Sequence, residues 1–391
     1  MSLFAIVNGD VLTPQKVLED ATVLIEGERI VEIRQGGSYP AEATVLDAQG
    51  GLVAPGLIDI HVHGSAGYDT MDATPQALHA MATFFAAHGV TSFLPTTVTA
   101  EQTALLAAVE NATWCQQHYQ GGAHIIGLHL EGPYISAMHP GAQPVQHIRP
   151  ADPAEYTRLF AHGNVRLISL APEIKENRQL IEYAAAQGAS VAIGHSAATY
   201  DDVMENVPRG LNQCCHTFNG MSSLHHREPG AVGAVLTCDD IYAQAIVDLV
   251  HLHPAIVKLL VRAKGTERVV LITDAMRATG LADGEYDLGG QSVTVSNGRA
   301  YLTYGNSLAG SVLTMDQGLR NLMQATGLSL VEALPMATAV PARSIGLGHE
   351  LGLLQPGYVA DLVVLKQHND GRDFQVETTI VQGNVVYQRT L

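Results

Sequence analysis

Apolar and polar positions along the chain follow two different rhythms. Residues 1 to about 54 carry short β-rich runs, Phe4–Val7 and Thr22–Ile25 among them, beside the turn-like Asn8–Gly9–Asp10 and Glu26–Gly27–Glu28. The end of the chain reads the same way: Leu362–Leu365 and Thr378–Val386 are strand-like, with Gln382–Gly383–Asn384 turning between two strands. The two ends are expected to build one small β domain, with a larger domain inserted between them. That larger domain alternates. Apolar, strand-like runs end near His63, Thr96, Glu131, Ala171, His195, His216, Asp248 and Asp274. Helix-like stretches separate many of them: Pro75–His88, Glu101–His118, Pro153–His162, Asn177–Gln187, Asp201–Val207 and Pro254–Lys264. Eight strands alternating with helices predict an α/β fold: a (β/α)8 TIM-like barrel over residues 55–345, with a small β-sandwich domain formed by residues 1–54 and 346–391. Gly230–Leu236, between the sixth and seventh strands, is short and the weakest element, and Glu285–Tyr304 reads as an inserted hairpin region.

Composition narrows the function classes. A chain of 391 residues, 47% of them hydrophobic, is long enough for one large core or two domains. The net charge of −17 argues against nucleic acid and anionic membrane surfaces, and still permits an anionic substrate held by a local basic cluster. The most apolar long stretch, Ala243–Val261, is interrupted by Asp248, His251, His253, Pro254 and Lys258, so no membrane span is expected. Met1–Asp10 lacks the basic region and long apolar core of a secretory signal. Cys115, Cys214, Cys215 and Cys238 have no CxxC spacing and read as buried, reduced thiols of a cytoplasmic protein.

The candidate chemistry lies at the strand ends. In Leu57–Ile58–Asp59–Ile60–His61–Val62–His63–Gly64 the period of two points both imidazoles to one face of a strand, close enough to grip one metal ion. The third strand ends in Glu131, the fifth in His195, the sixth in His216 and the eighth in Asp274. Singly, each has an ordinary explanation, such as a hydrogen-bonded loop histidine or an aspartate capping the next helix. Together, at the rim where barrels place their catalytic groups, they form a mixed imidazole–carboxylate set suited to zinc and related divalent ions.

This layout resembles the amidohydrolase superfamily of metal-dependent barrels, and within it the N-acetylglucosamine-6-phosphate deacetylase family. The segments that carry the resemblance include Pro55–Gly64, His129-Leu130-Glu131-Gly132-Pro133, Gly194-His195-Ser196, His216-Thr217-Phe218-Asn219-Gly220-Met221, Arg227-Glu228-Pro229-Gly230, Thr273-Asp274-Ala275 and Leu308-Ala309-Gly310-Ser311. The resemblance implies that Glu131, His195 and His216 hold the principal metal, zinc first, with iron, manganese or cobalt as alternatives. His61 and His63 would hold a second ion, giving one or two per chain. Asp274 would act as general base and then acid while a metal-activated water attacks the acetyl carbonyl, with His251 stabilising the oxyanion. Arg227 would reach the phosphate of a neighbouring active site across a homodimer interface, its guanidinium fork pairing with phosphate oxygens. Ala142, Gln143, Asn219 and Gly220 would add substrate contacts, and Leu308, Ala309 and Gly310 would close over the sugar. Many superfamily members bridge two metals with a modified lysine after the fourth strand; here that position reads Leu170–Ala171–Pro172–Glu173, with no lysine until Lys175.

The chain departs from the family after Glu131-Gly132-Pro133-Tyr134. Where relatives usually carry a histidine, it reads Gly141–Ala142–Gln143. Glutamine can bond a sugar hydroxyl but carries no charge, which leaves the choice between gluco and galacto epimers open. Alternatives are the galactosamine epimer, another amidohydrolase acting on a cyclic amide, and an inactive barrel kept as a scaffold. His129 is expected to be a buried, hydrogen-bonded histidine, and Asp59 is a candidate for orienting His61.

Overall fold

The computed structural model describes residues 3–305, 307–368, 371 and 373–390. Eight parallel strands run through the middle of the chain: Leu57–Val62, Val90–Pro95, Leu128–Glu131, Val165–Leu170, Ser190–Ile193, Leu211–Cys214, Tyr242–Ile246 and Val269–Ile272. The third to eighth pair in chain order as one parallel sheet, while the first and second pair in another. Two sets of backbone bonds bring these sheets together. Thr96 bridges to His129, and Thr97 N donates to His129 O at 3.0 Å. At the other side Asp274 N donates to His61 O, and His63 N to Ala275 O, each at 2.9 Å. The second strand therefore meets the third, and the eighth meets the first, at their C-terminal ends.

The expected third strand is divided. His124–Ile125 pairs with the second strand and Leu128–Glu131 with the fourth. Gly127 lies between them at φ 146°, and a Cβ there would stand 2.3 Å from Arg166 Cγ. That close approach needs glycine and kinks the strand.

Helices follow the strands, and three of them, Pro75–Ala87, Pro153–His162 and Pro254–Lys264, start with proline in the first turn, where its missing N–H costs nothing. One apolar cluster packs the strands against the helices, with Leu57, Val90, Phe93 and Leu128 meeting Leu78, Met81 and Phe85. A smaller one draws a side chain from the neighbourhood of every parallel strand, among them Ile58, Leu94, Leu167, Ala192 and Val270. Gly230–Thr237 forms the short helix expected between the sixth and seventh strands.

Both chain ends join one eight-stranded sheet rather than the two separate sheets of the expected β-sandwich. Leu52–Pro55, from the first part, pairs antiparallel with Leu362–His368, from the last. Ile6, Val23, Ile25 and Ile30 share one buried cluster with Leu362, Val364 and Ile380, so the sheet's halves cover a common apolar face. The expected turn at Asn8–Gly9–Asp10 is instead a bulge inside the continuous strand Leu3–Leu12. Asn8 supplies the positive φ of 57°, and a Cβ on Gly9 would fall 2.8 Å from both Ala48 Cβ and Gly51 O. The inserted region is a three-stranded sheet, Gly284–Leu288, Gln291–Ser296 and Arg299–Leu302, because it carries two glycine turns, at Gly289–Gly290 and Asn297–Gly298.

Candidate metal centre and active site

His61, His63, Glu131, His195, His216 and Asp274, drawn from five strand ends, converge in space. Glu131 is the hub. Its Oε1 lies 3.2 Å from His195 Nε2, 3.1 Å from His216 Nε2 and 3.6 Å from His61 Nε2, and its Oε2 lies 3.2 Å from His63 Nε2. Asp274 Oδ1 stands 3.2 Å from His63 Nε2 and 3.6 Å from His61 Nε2. All six side chains are buried, Asp274 the most open at 10% exposure.

The backbone holds these groups at some cost. His195 (φ 48°), His216 (φ 23°) and Asp274 (φ 51°) all occupy the left-handed region that side chains other than glycine seldom adopt. Glycine makes room around them: a Cβ on Gly141 would stand 3.0 Å from His195 Cε1, and one on Gly220 3.1 Å from His195 Nδ1. Glu173, just after the fourth strand, takes part in this positioning. Its carboxylate accepts from Ser196 Oγ and Ala197 N, both at 2.7 Å, and so pins the loop that carries His195.

The proton arrangement tests whether these residues suit a cation. His63 Nδ1 faces Thr96 O at 3.2 Å, His195 Nδ1 faces His139 O at 2.9 Å, and His216 Nδ1 faces Asn219 O at 3.1 Å. A carbonyl oxygen only accepts, so each Nδ1 carries the proton and, in the neutral ring, each Nε2 keeps its lone pair. Those lone pairs face carboxylate oxygens, and His195 Nε2 and His216 Nε2 face one another at 3.2 Å. Lone pairs meeting lone pairs in a buried site call for a positive charge among them. Ligand atoms bound tetrahedrally at 2.0–2.1 Å from zinc lie about 3.3 Å apart, close to the spacing found here. His61 Nε2 is buried with no hydrogen-bond partner, a further donor atom of the same kind. Burial pushes the Glu131 carboxyl up, and His61, His195 and His216 in their protonated forms would outweigh it and hold the group well below its ordinary range, as a cation in their midst would. Burial likewise opposes ionisation of Asp274, and His61 and His63 in their protonated forms would reverse the balance and keep it below its ordinary value.

A cavity of about 320 Å³ opens over this cluster. Of the residues expected to bind substrate, Ala142, Gln143, Asn219, Gly220, His251, Leu308 and Gly310 line it, together with Ser307, Ile246 and Leu288. Ala309 does not: it is fully buried against the inserted sheet, its N donating to Ala300 O at 3.1 Å. Arg227 also stands outside, on an exposed loop with Nη1 at 2.7 Å from His226 Nε2. Among the described residues, the cavity lining holds no lysine or arginine. His251 gives Nδ1–H to Asp248 Oδ2 at 2.7 Å, which leaves its Nε2 for the cavity. Gln143 spans two partners: its Oε1 accepts from Thr99 N at 2.8 Å and its Nε2 donates to Glu131 Oε2 at 2.7 Å.

His129 is the buried, bonded histidine expected, with Nε2 at 2.7 Å from Ser169 Oγ. Asp59 acts on backbone rather than on the His61 ring: it accepts from His61 N at 3.3 Å and from Thr273 Oγ1 at 2.5 Å, tying the first strand to the eighth. Two residues escaped the sequence reading. Gln244 Oε1 lies 3.2 Å from His61 Nδ1, and Cys215 Sγ lies 3.3 Å from the same atom and 3.8 Å from Glu131 Oε1. The available signal was an uncharged polar residue at mid-strand in an otherwise apolar run, Ala243–Gln244–Ala245.

Comparison with known proteins agrees with this geometry. Residues 52–386 match the amidohydrolase family. N-acetylglucosamine-6-phosphate deacetylase of Lysinibacillus sphaericus is 41% identical over 83% of this chain and 84% of its own. N-acetylgalactosamine-6-phosphate deacetylase of Escherichia coli is 40% identical over 90% and 93%. A variant N-acetyl-D-glucosamine-6-phosphate deacetylase from Mycobacterium smegmatis, solved with N-acetyl-D-glucosamine-6-phosphate, superimposes with a TM-score of 0.90 at 33% identity, covering 99% of this chain and 100% of that one.

Proposed function

Because the chain belongs to the amidohydrolase family, we propose that it is a metal-dependent deacetylase converting N-acetyl-D-glucosamine 6-phosphate to D-glucosamine 6-phosphate and acetate. The observation that carries this reading is the convergence of Glu131, His195 and His216 with Asp274 beneath one cavity, in a chain whose structural relative holds that sugar phosphate. We read the parallel strands as a (β/α)8 barrel over residues 55–345 and the terminal sheet as a second domain, of residues 1–54 and 346–391.

A divalent cation held by Glu131, His195 and His216, zinc by donor type, would polarise the acetyl carbonyl and make water acidic enough to ionise near neutral pH. The chain's own residues do the rest. Asp274, ionised at rest, takes a proton from the attacking water and hands it to the sugar nitrogen, which leaves as an amine. His251, its ring held through Nδ1 by Asp248, turns Nε2 to the cavity, where an N–H would donate to the developing oxyanion. His61 and His63 offer a second cation position. Among the described residues the cavity lining offers no guanidinium or ammonium, and the family resemblance supports Arg227 of a neighbouring copy in a homodimer as the phosphate partner. The four cysteines are free and buried, in keeping with a cytoplasmic enzyme.

The galacto epimer is the second reading, favoured by the Escherichia coli relative; Gln143, whose amide is engaged with Glu131 and Thr99, leaves the choice open. Acetate release should be measured on both epimers, with and without the 6-phosphate. The proposal expects the gluco phosphate to lead its epimer by about tenfold or more in kcat/KM, within the range one mismatched hydroxyl supplies. A reversed order would transfer the assignment to the galacto compound, and no acetate from any of the four would overturn the reaction itself.

A further inference from the structure

Three of the four converging imidazoles are aimed by main-chain carbonyls, which no side-chain substitution removes. His61 is the exception. Its Nδ1 faces Gln244 Oε1 at 3.2 Å. Gln244 Nε2 in turn lies 3.1 Å from Gln213 Oε1, and Gln213 Nε2 lies 2.8 Å from Ser344 O. His61, Gln213 and Gln244 are fully buried, so water cannot substitute for any link.

The far end of this chain of bonds fixes its direction. Ser344 O only accepts, so Gln213 must turn its NH2 toward it and its oxygen toward Gln244. Gln244 must then present its own NH2 to Gln213 and its oxygen to His61. His61 Nδ1 has to carry the proton, which leaves the Nε2 lone pair 3.6 Å from both Glu131 Oε1 and Asp274 Oδ1. The opposite tautomer would set a bare Nδ1 against the Gln244 oxygen in a dry interior. It would also put an N–H where a cation must sit. Cys215, 3.3 Å from Nδ1, does not reverse the order, since its sulfur takes the Ser169 hydroxyl and can accept from His61 as well.

We propose that Gln244, oriented by Gln213, is a positioning residue that sets the tautomer of His61 and thereby the chain's affinity for a second divalent cation at His61 and His63, independently of a first at Glu131, His195 and His216. It rests on the reading above only in taking the cluster to bind divalent cations.

The test is zinc titration of the metal-stripped protein, with bound metal counted per chain, for the wild type, Gln244→Leu, Gln244→Glu and Gln213→Leu. Nitrogen-15 spectra of the histidines report the His61 tautomer alongside. Wild type should take two ions. Gln244→Leu should keep the first at wild-type affinity and weaken the second about 10- to 100-fold, the usual effect of losing an outer partner of a metal-binding histidine. Gln244→Glu, in its acid form, offers the same acceptor to His61 and the same donor to Gln213 and should restore the second ion, which a mere packing defect would not allow. Gln213→Leu leaves every contact of His61 in place and carries the test should Gln244→Leu fail to fold; it should weaken the second ion in the same direction. Unchanged affinities in Gln244→Leu and Gln213→Leu, or a wild type that binds a single ion, would overturn the assignment. Acetate release measured in parallel keeps the two readings apart. Two ions without acetate would contradict the reaction and leave Gln244 its role, while acetate with one ion would do the reverse.

Discussion

At the scale of single residues, the site is a set of protons placed by unambiguous acceptors. Carbonyls of Thr96, His139 and Asn219 leave His63, His195 and His216 as bare donors, and Glu131 supplies the negative charge they share. The histidines and carboxylates were legible in the sequence because each ends an apolar run. Their partners were not. Gln244 sits between two alanines with no motif of its own, Cys215 reads only as one more buried thiol, and Glu173 pins the His195 loop from another strand's end. Asp274 offers the clearest prediction. Asp274→Asn keeps size and shape but cannot accept the proton, so turnover should fall by at least about 10²-fold, in line with losing a general acid–base group. Metal at Glu131, His195 and His216 should stay at its wild-type level in the same sample. Near-normal kcat would remove Asp274 from proton transfer.

At the scale of elements, strands announce themselves when one face is buried and hide when neither is. The parallel strands were readable as apolar runs, since most are buried along their whole length. Arg29–Gln35 and Thr44–Asp47 were missed because most of their positions are exposed or only half-buried, which erases the alternation. Bulges and splits were also hidden: Asn8–Gly9 reads as a turn until Ala48 and Gly51 are seen pressing on Gly9, and Gly127 breaks the third strand for Arg166, distant in sequence. Arg227 lies on the exposed far part of the loop that leaves the sixth strand after His216, and does not line its own cavity. Arg227→Ala should therefore raise KM for the phosphorylated sugar by about tenfold or more, the loss of one charge-assisted pair, with kcat little changed. It should leave KM for the unphosphorylated sugar where it was. An unchanged KM for the phosphate would take Arg227 out of substrate binding.

At the scale of the whole molecule, the terminal sheet and the parallel strands are joined through buried polar contacts. Asp361 accepts from Ser92 Oγ of the second parallel strand at 3.1 Å and from Gln382 N of the terminal sheet at 2.8 Å. Burial raises its carboxyl from an ordinary 3.8 to about 7, against the pull of those two bonds. The folded protein thus holds a proton that the unfolded chain releases between about pH 4 and 7, and this group's contribution to stability falls as pH rises through that window. Asp361→Asn should flatten the corresponding slope in the melting temperature, measured against wild type from pH 4 to 8. Parallel slopes would show Asp361 to be ionised throughout.

That the two chain ends build together was legible from their shared composition and turns, but the contacts between their sheet and the parallel strands were not, because they pair residues hundreds of positions apart. The account stands on a cation held where the first, third, fifth, sixth and eighth strands end. Bound metal and acetate release from N-acetyl-D-glucosamine 6-phosphate should be determined on the same samples before chelation, after it, and after zinc is returned. The account predicts that the two fall together and recover together. A metal-free protein that still releases acetate at the full rate would contradict it.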